Sequence, residues 1–155
     1  MKKHILIPAL MLGALTPTVS QAFGNHDAWT SGFAQGTAEY TILGKGQSQL
    51  YLACDSSGSQ AATIIFTDVR GHQVSMDNDQ TLTMKIDNAD VADISESDSH
   101  VGEDNLMWAW NQLRTGKHVL VSGSDAKPAV FTLKGAAGVI PAFGDNGCVA
   151  KFDVP

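Results

Sequence analysis

Cys54 and Cys148 are the only two cysteines of this 155-residue chain, and no other feature limits its fold as much. What they can do depends on compartment, and the N-terminus speaks to that. Lys2 and Lys3 make a positively charged start, residues 5–15 a short apolar run, and Ser20-Gln21-Ala22 puts small residues at the two positions a signal peptidase reads. The run falls short of the roughly 20 apolar residues that a membrane span needs. Residues 1–22 are therefore expected to be a signal peptide cleaved after Ala22, and residues 23–155 one periplasmic or secreted domain. In an oxidising compartment two cysteines read as one disulfide, with a single possible pairing. Free thiols or an intermolecular bridge are the alternative. A Cys54–Cys148 bridge ties the closing stretch, residues 129–148 (AVFTLKGAAGVIPAFGDNGC), back to an early strand.

The strands are legible from alternation. Residues 38–43 and 49–54 carry Tyr40, Ile42, Leu50, Tyr51 and Leu52 around a Gly-Lys-Gly link with the makings of a hairpin. Residues 62–69 (ATIIFTDV) are rich in β-branched and aromatic residues, and residues 73–76 suit a short return strand after the Arg70-Gly71-His72 turn. In residues 81–86, Leu82, Met84 and Ile86 point one way and Thr81, Thr83 and Lys85 the other, the mark of a strand with one solvated face. Residues 117–122 and 129–133 are two further strands. Residues 23–31 read as a polar lead-in, loose until Trp29 is buried.

Residues 103–115 carry a helical pattern instead. Leu106, Trp110 and Leu113 recur at i, i+4 and i+7. Glu103 and Asp104 favour its start and Arg114 its end, and Gly116 suits a left-handed residue just past it. A second, short helix is expected within residues 136–143. Strands, one amphipathic helix, two strands and a short C-terminal helix imply an α+β to mainly β domain, an antiparallel sheet or small β-sandwich.

Several pieces of this chain resemble the invasion-associated locus B family and similar periplasmic proteins associated with type VI secretion. They are Trp29 near the start of the exported part, a strand ending in Cys (residues 50–54), Leu113-Arg114-Thr115-Gly116-Lys117-His118-Val119-Leu120-Val121, and Phe131-Thr132-Leu133-Lys134-Gly135-Ala136 before Cys148. The likeness spans about two-thirds of residues 23–155. It implies a secreted β-rich domain without known catalysis, in envelope, secretion or host-interaction roles.

Charge points to one region. The formal net charge is −6. Without Lys2 and Lys3 it is −8, and residues 77–104 hold nine acids (Asp77, Asp79, Asp87, Asp90, Asp93, Glu96, Asp98, Glu103 and Asp104) against Lys85 alone. Nucleic acid and anionic membrane surfaces are disfavoured as partners, since both need clustered Lys and Arg. A protein partner, basic in character, is favoured, because clustered charge steers encounter. Residues 87–102 are expected to be exposed and mobile, pinned by Val91 and Ile94.

The expected contact residues are Asp90, Asp93, Glu96, Asp98, His100 and Trp108. His100 lies between Asp98 and Glu103, where carboxylates tend to raise a histidine's pKa. Trp108 falls about 200° around the helix from Trp110, facing outward or packed under the acidic loop. A weaker alternative is a Ca²⁺ site from Asp77, Asp79, Asp87 and Asp90, although a calcium loop's central Gly and terminal Glu are missing.

His26, His72, His100 and His118 show no zinc spacing. His118 lies in an apolar strand and reads as a packed or edge residue. Cleavage one residue later would put His26 third in the mature chain, an arrangement that chelates Cu²⁺ or Ni²⁺. No G-x-S-x-G, H-E-x-x-H or P-loop motif occurs, so no cofactor is expected. A hydrolase with an unrecognised site is the remaining alternative to a non-catalytic binding or accessory protein.

Overall fold

Each alternating stretch becomes a strand because each has an apolar face to bury. The computed structural model describes residues 23–155; the expected signal peptide lies outside the described residues. β1 (Thr30–Ala34), β2 (Thr37–Leu43), β3 (Gln49–Asp55), β4 (Thr63–Thr67) and β5 (Gln73–Ser75) form an antiparallel five-stranded meander in chain order. The register sets Tyr40 against Leu52 and Leu52 against Ile64, so one face presents Tyr40, Ile42, Leu50, Leu52, Ile64 and Phe66, all buried.

β6 (Leu82–Ile86), β7 (Val91–Asp93), β8 (His118–Gly123) and β9 (Ala129–Thr132) form a second antiparallel sheet in the order β7-β6-β8-β9. Its buried face carries Leu82, Met84, Ile86, Val119, Val121 and Phe131. The two sheets share one core, with Phe66 and Phe131 meeting edge to face at 6.1 Å. That geometry suits the ring quadrupoles.

α1 (His100–Thr115) lays Leu106, Ala109, Trp110 and Leu113 into this core. α2 (Ala136–Val139) docks beside it. The Trp110 indole donates to the Pro141 carbonyl and Arg114 Nε to that of Ile140, both at 3.0 Å. A buried Trp needs such a partner for its N–H. Beyond α2, 3-10 turns at Asp145–Gly147 and Lys151–Asp153 lead to the chain end. Cys148 bonds Cys54 on β3, with Cα atoms 4.8 Å apart. Among the described residues no helix is long and apolar enough to cross a membrane.

Three local expectations are corrected. Residues 23–31 are not simply a lead-in, because β1 begins at Thr30 and the Trp29 side chain is buried, its indole donating to the Thr132 carbonyl at 3.0 Å. α1 starts one turn before Glu103, because Ser99 caps it by accepting from Gly102 N at 3.0 Å. Gly116 is extended (φ −77°, ψ −178°), not left-handed. Glycine is required there by crowding instead: a Cβ would strike the Ile86 side chain.

Candidate functional site

The acidic stretch does not stay together as one loop. Asp87 leaves first: it follows β6 in a turn and points its carboxylate onto the backbone N–H groups of Lys117 and His118, at 3.0 Å each, stitching the α1–β8 junction. Those bonds, Lys117's first, hold its carboxyl below the usual range. Asp90 and Asp93 lie on the β6–β7 hairpin and its second strand. Asp93 accepts from Ser95 N at 3.0 Å. Val91 is exposed, whereas Ala92 and Ile94 are buried. The segment is therefore pinned by Ala92 and Ile94, and Val91 does not contribute. A short strand also stands where exposed loop was expected.

What remains gathers around a cleft of about 420 Å³, lined by Asp77, Asp79, Gln80, Thr81, Ser95, Glu96, Asp98 and Lys151. One wall is the β5–β6 turn, where Asp77 and Asp79 both take left-handed backbone (φ +58° and +52°), which Asp tolerates better than most residues. The other wall is the β7–α1 connection. Asp77 joins them: its carboxylate accepts from Ser97 N at 2.7 Å and from Ser97 Oγ at 2.8 Å. Ser97 is itself fully buried and receives Lys151 N at 3.0 Å, so the C-terminal turn is attached to the same point.

Glu96 completes a small cap for α1, accepting from Asp98 N, Ser99 N and Ser99 Oγ at 2.7–3.1 Å. Carboxylate at a helix start also suits the helix dipole. Asp98 is more open and meets Lys151 Nζ at 3.4 Å. Its carboxyl is held below the ordinary range, first by a side-chain hydrogen bond with Glu96 and then by Lys151. Asp77, Glu96 and Asp98 can each bring one oxygen within 4.8 Å of the others, and the cleft thus concentrates negative charge with one cation at its mouth.

Of the expected contact residues, only Glu96 and Asp98 line the cleft. His100 opens α1, with Nδ1 3.8 Å from the Glu103 carboxylate and its ring 4.1 Å from that of Phe152. Trp108 faces outward, 37% exposed, with Val101, Met107 and Phe152 also exposed. His118, read as packed or edge, is an exposed residue on an interior strand of its sheet. Of the four acids considered for Ca²⁺, Asp77 and Asp79 reach the cleft, whereas Asp87 and Asp90 do not line it. The cluster that does form, Asp77 with Glu96 and Asp98, draws on residues that no calcium-loop spacing would single out. Lys151 was also missed; only contact through the disulfide-held C-terminus brings it there.

Residues 27–140 match the model of the YfjT family. The chain belongs to the YfjT family. The matched span runs from before β1 to the end of α2 and includes Cys54, the acidic walls of the cleft and Trp108, but it stops short of Cys148 and Lys151. The family description states no activity, substrate or partner. Neither the curated proteins nor the solved structures include a match. The locus B likeness accordingly rests on its short motifs.

Proposed function

We propose that this YfjT-family protein is a non-catalytic binding or accessory protein of the periplasm or extracellular space. It engages a basic protein partner through the acidic cleft and the adjoining face of α1. The observation that carries the reading is the convergence of Asp77, Asp79, Glu96 and Asp98 on one cleft, close to a helix that leaves Trp108 and Val101 exposed. Charge supplies steering, and an exposed Trp supplies the type of contact that dominates interface energy. The disulfide is compatible with an extracytoplasmic location. The motif likeness suggests envelope, secretion or host interaction as the setting.

The carboxylates themselves favour recognition over catalysis. Asp77 and Glu96 are occupied by backbone and serine donors, and Asp98 is paired with Lys151 Nζ at 3.4 Å. The same observation ranks a Ca²⁺-binding role second: three carboxylates are near enough to share a cation, but protein donors already use their oxygens. The test is a pull-down from envelope extract with wild type beside a Trp108→Ala, Asp98→Asn variant. Loss of one or more partners from the variant at low salt is expected, and identical partner sets would refute the choice of surface.

A further inference from the structure

Positive charge gathers on a different surface, along the free edge of the second sheet. β9 ends that sheet, and among the described residues its only strand neighbour is β8. Leu133 N donates to the Lys117 carbonyl at 2.8 Å. Alternation then commits residues 129, 131 and 133 to β8, and the backbone groups of Val130 and Thr132 point away from it. Trp29 already uses the Thr132 carbonyl, at 3.0 Å, and Pro128 has no N–H to offer. The N–H and C=O of Val130 have no partner among the described residues.

Open space adjoins those groups. The turn between β2 and β3 stands across from β9 and leaves two hollows, of about 390 and 370 Å³. Leu43 and Phe131 are among the walls of the first, Val69 and Ala129 among those of the second, and Lys45 and Val130 line both. Neither hollow has a carboxylate in its walls, and Lys45 joins no ion pair among the described residues. Lys127 and Lys134 bracket β9, and no acid occurs from residue 126 to residue 144, in a chain of net charge −6. On the solvent side, Val130 (61% exposed) lies in register with Leu120 (38%).

We propose that this edge receives an extended acidic segment of a partner protein, which crosses the groove and pairs with β9 at Val130. The residue opposite Val130 exchanges both backbone bonds with it, and an apolar side chain there extends the Leu120–Val130 row. Its two neighbours turn to the other side of the strand, toward the hollows beside Ala129 and Phe131, where acidic side chains meet Lys45. Pairing is confined to Val130, because Trp29 closes one end of the edge and Pro128 the other. Charge decides between occupants. Lysines on a sheet edge keep like copies apart: an antiparallel second β9 centred on Val130 would set Lys134 beside Lys127 of the other copy. An acidic segment meets Lys45, Lys127 and Lys134 with opposite charge.

The test titrates a capped peptide of alternating glutamate and valine into the purified, isotope-labelled protein, followed by amide NMR. The expected result is saturable binding that shifts the Lys45, Val69 and Val130 amides and slows hydrogen exchange at Val130. The same peptide with lysine in place of glutamate should bind about tenfold more weakly at low salt. Val130→Pro removes an N–H that the fold does not use and should abolish binding, and Lys45→Glu should erase most of the difference between the two peptides. Both variants should keep the thermal transition; if either misfolds, the other and the wild-type comparison of the two peptides decide. No saturable shift at millimolar acidic peptide overturns the proposal, as do equal affinities for the two peptides or shifts confined to the acidic cleft. Protection of the Val130 amide that rises with protein concentration alone would give the edge to a second copy and overturn it as well.

Discussion

The covalent clasp yields the sharpest prediction. Cys54 and Cys148 are 94 residues apart in sequence, so their bond closes most of the described domain. For a loop of that length, chain-entropy reasoning gives about 4.7 kcal/mol of stabilisation through the unfolded state. In a domain of this size 1 kcal/mol moves the thermal midpoint by about 3–4 °C. A Cys54→Ala, Cys148→Ala variant should therefore melt about 15 °C below wild type, read by circular dichroism at one protein concentration. The double variant is a better probe than a reductant, because both cysteines are fully buried and a thiol reaches them only after the domain opens. Independent bonds also hold the C-terminal segment: Ala62 N to the Val149 carbonyl at 2.8 Å, and Lys151 N to Ser97 Oγ. They set the terms of refutation. A midpoint within about 3 °C of wild type, less than 1 kcal/mol, would mean that these contacts carry the closure and the bridge only decorates it.

Acid should act through Asp68. This fully buried residue accepts from Lys127 N, His72 N and Arg70 N at 2.8–3.0 Å and joins the β4–β5 turn to the β8–β9 loop. The Lys127 bond first, then those of His72 and Arg70, hold its carboxyl well below the usual range. Its contribution is thus full above the ordinary carboxylate pKa of about 4 and is lost as pH falls through the lowered folded value. Asp68→Asn should lower the midpoint at neutral pH and flatten its fall below about pH 4, and an unchanged acid limb would sink the assignment. Asp55, lowered to about 2 by Ser59 and Ser57, should add a shallower fall between about pH 4 and that value, absent in Asp55→Asn. Millimolar Ca²⁺ should leave the transition in place, because the donors on Asp77 and Glu96 would have to be given up; a rise of several degrees would establish the metal reading. Trp110→Ala should cost about 3–5 kcal/mol by urea unfolding and Trp108→Ala under about 1, separating the buried indole from the exposed one.

Much of this architecture is legible in residue order. Leu82, Met84 and Ile86 alternate because one face is buried, and Leu106, Trp110 and Leu113 recur at helical spacing for the same reason. β1 escapes that logic: Thr30-Ser31-Gly32-Phe33-Ala34 has no apolar alternation, and an edge strand needs none when its neighbour supplies the pairing. The start of α1 was readable in principle, since Ser99 is a good N-cap residue, but the acidic residues at 103 and 104 draw the eye one turn too far. Gly116 illustrates a different limit. Sequence shows that a glycine ends a helix; only packing shows whether it is there for its φ or for the absence of a Cβ.

The acidic region shows why composition marks a stretch without resolving how its carboxylates are used. Nine carboxylates between residues 77 and 104 look like a single patch when counted, but a carboxylate is also the strongest acceptor available for unsatisfied backbone N–H groups. Asp87 is used that way at the α1–β8 junction, Asp93 at the end of β7, Asp77 at Ser97 and Glu96 at the α1 cap. Each such use occupies acceptor oxygens and fixes a loop in place, while the carboxylate keeps its charge. Asp79, Asp87, Asp90, Asp93, Asp98 and Asp104 are the exposed acids of this stretch, and of these only Asp79 and Asp98 border the cleft. On the proposed reading, a basic partner at the cleft would meet Asp79 and Asp98 on a scaffold built by Asp77 and Glu96. Neutralising Asp79 and Asp98 together should weaken capture with little effect on the thermal midpoint, whereas Asp77→Asn should lower the midpoint by releasing Ser97. The reverse pattern would show that the division between scaffold and contact has been drawn in the wrong place.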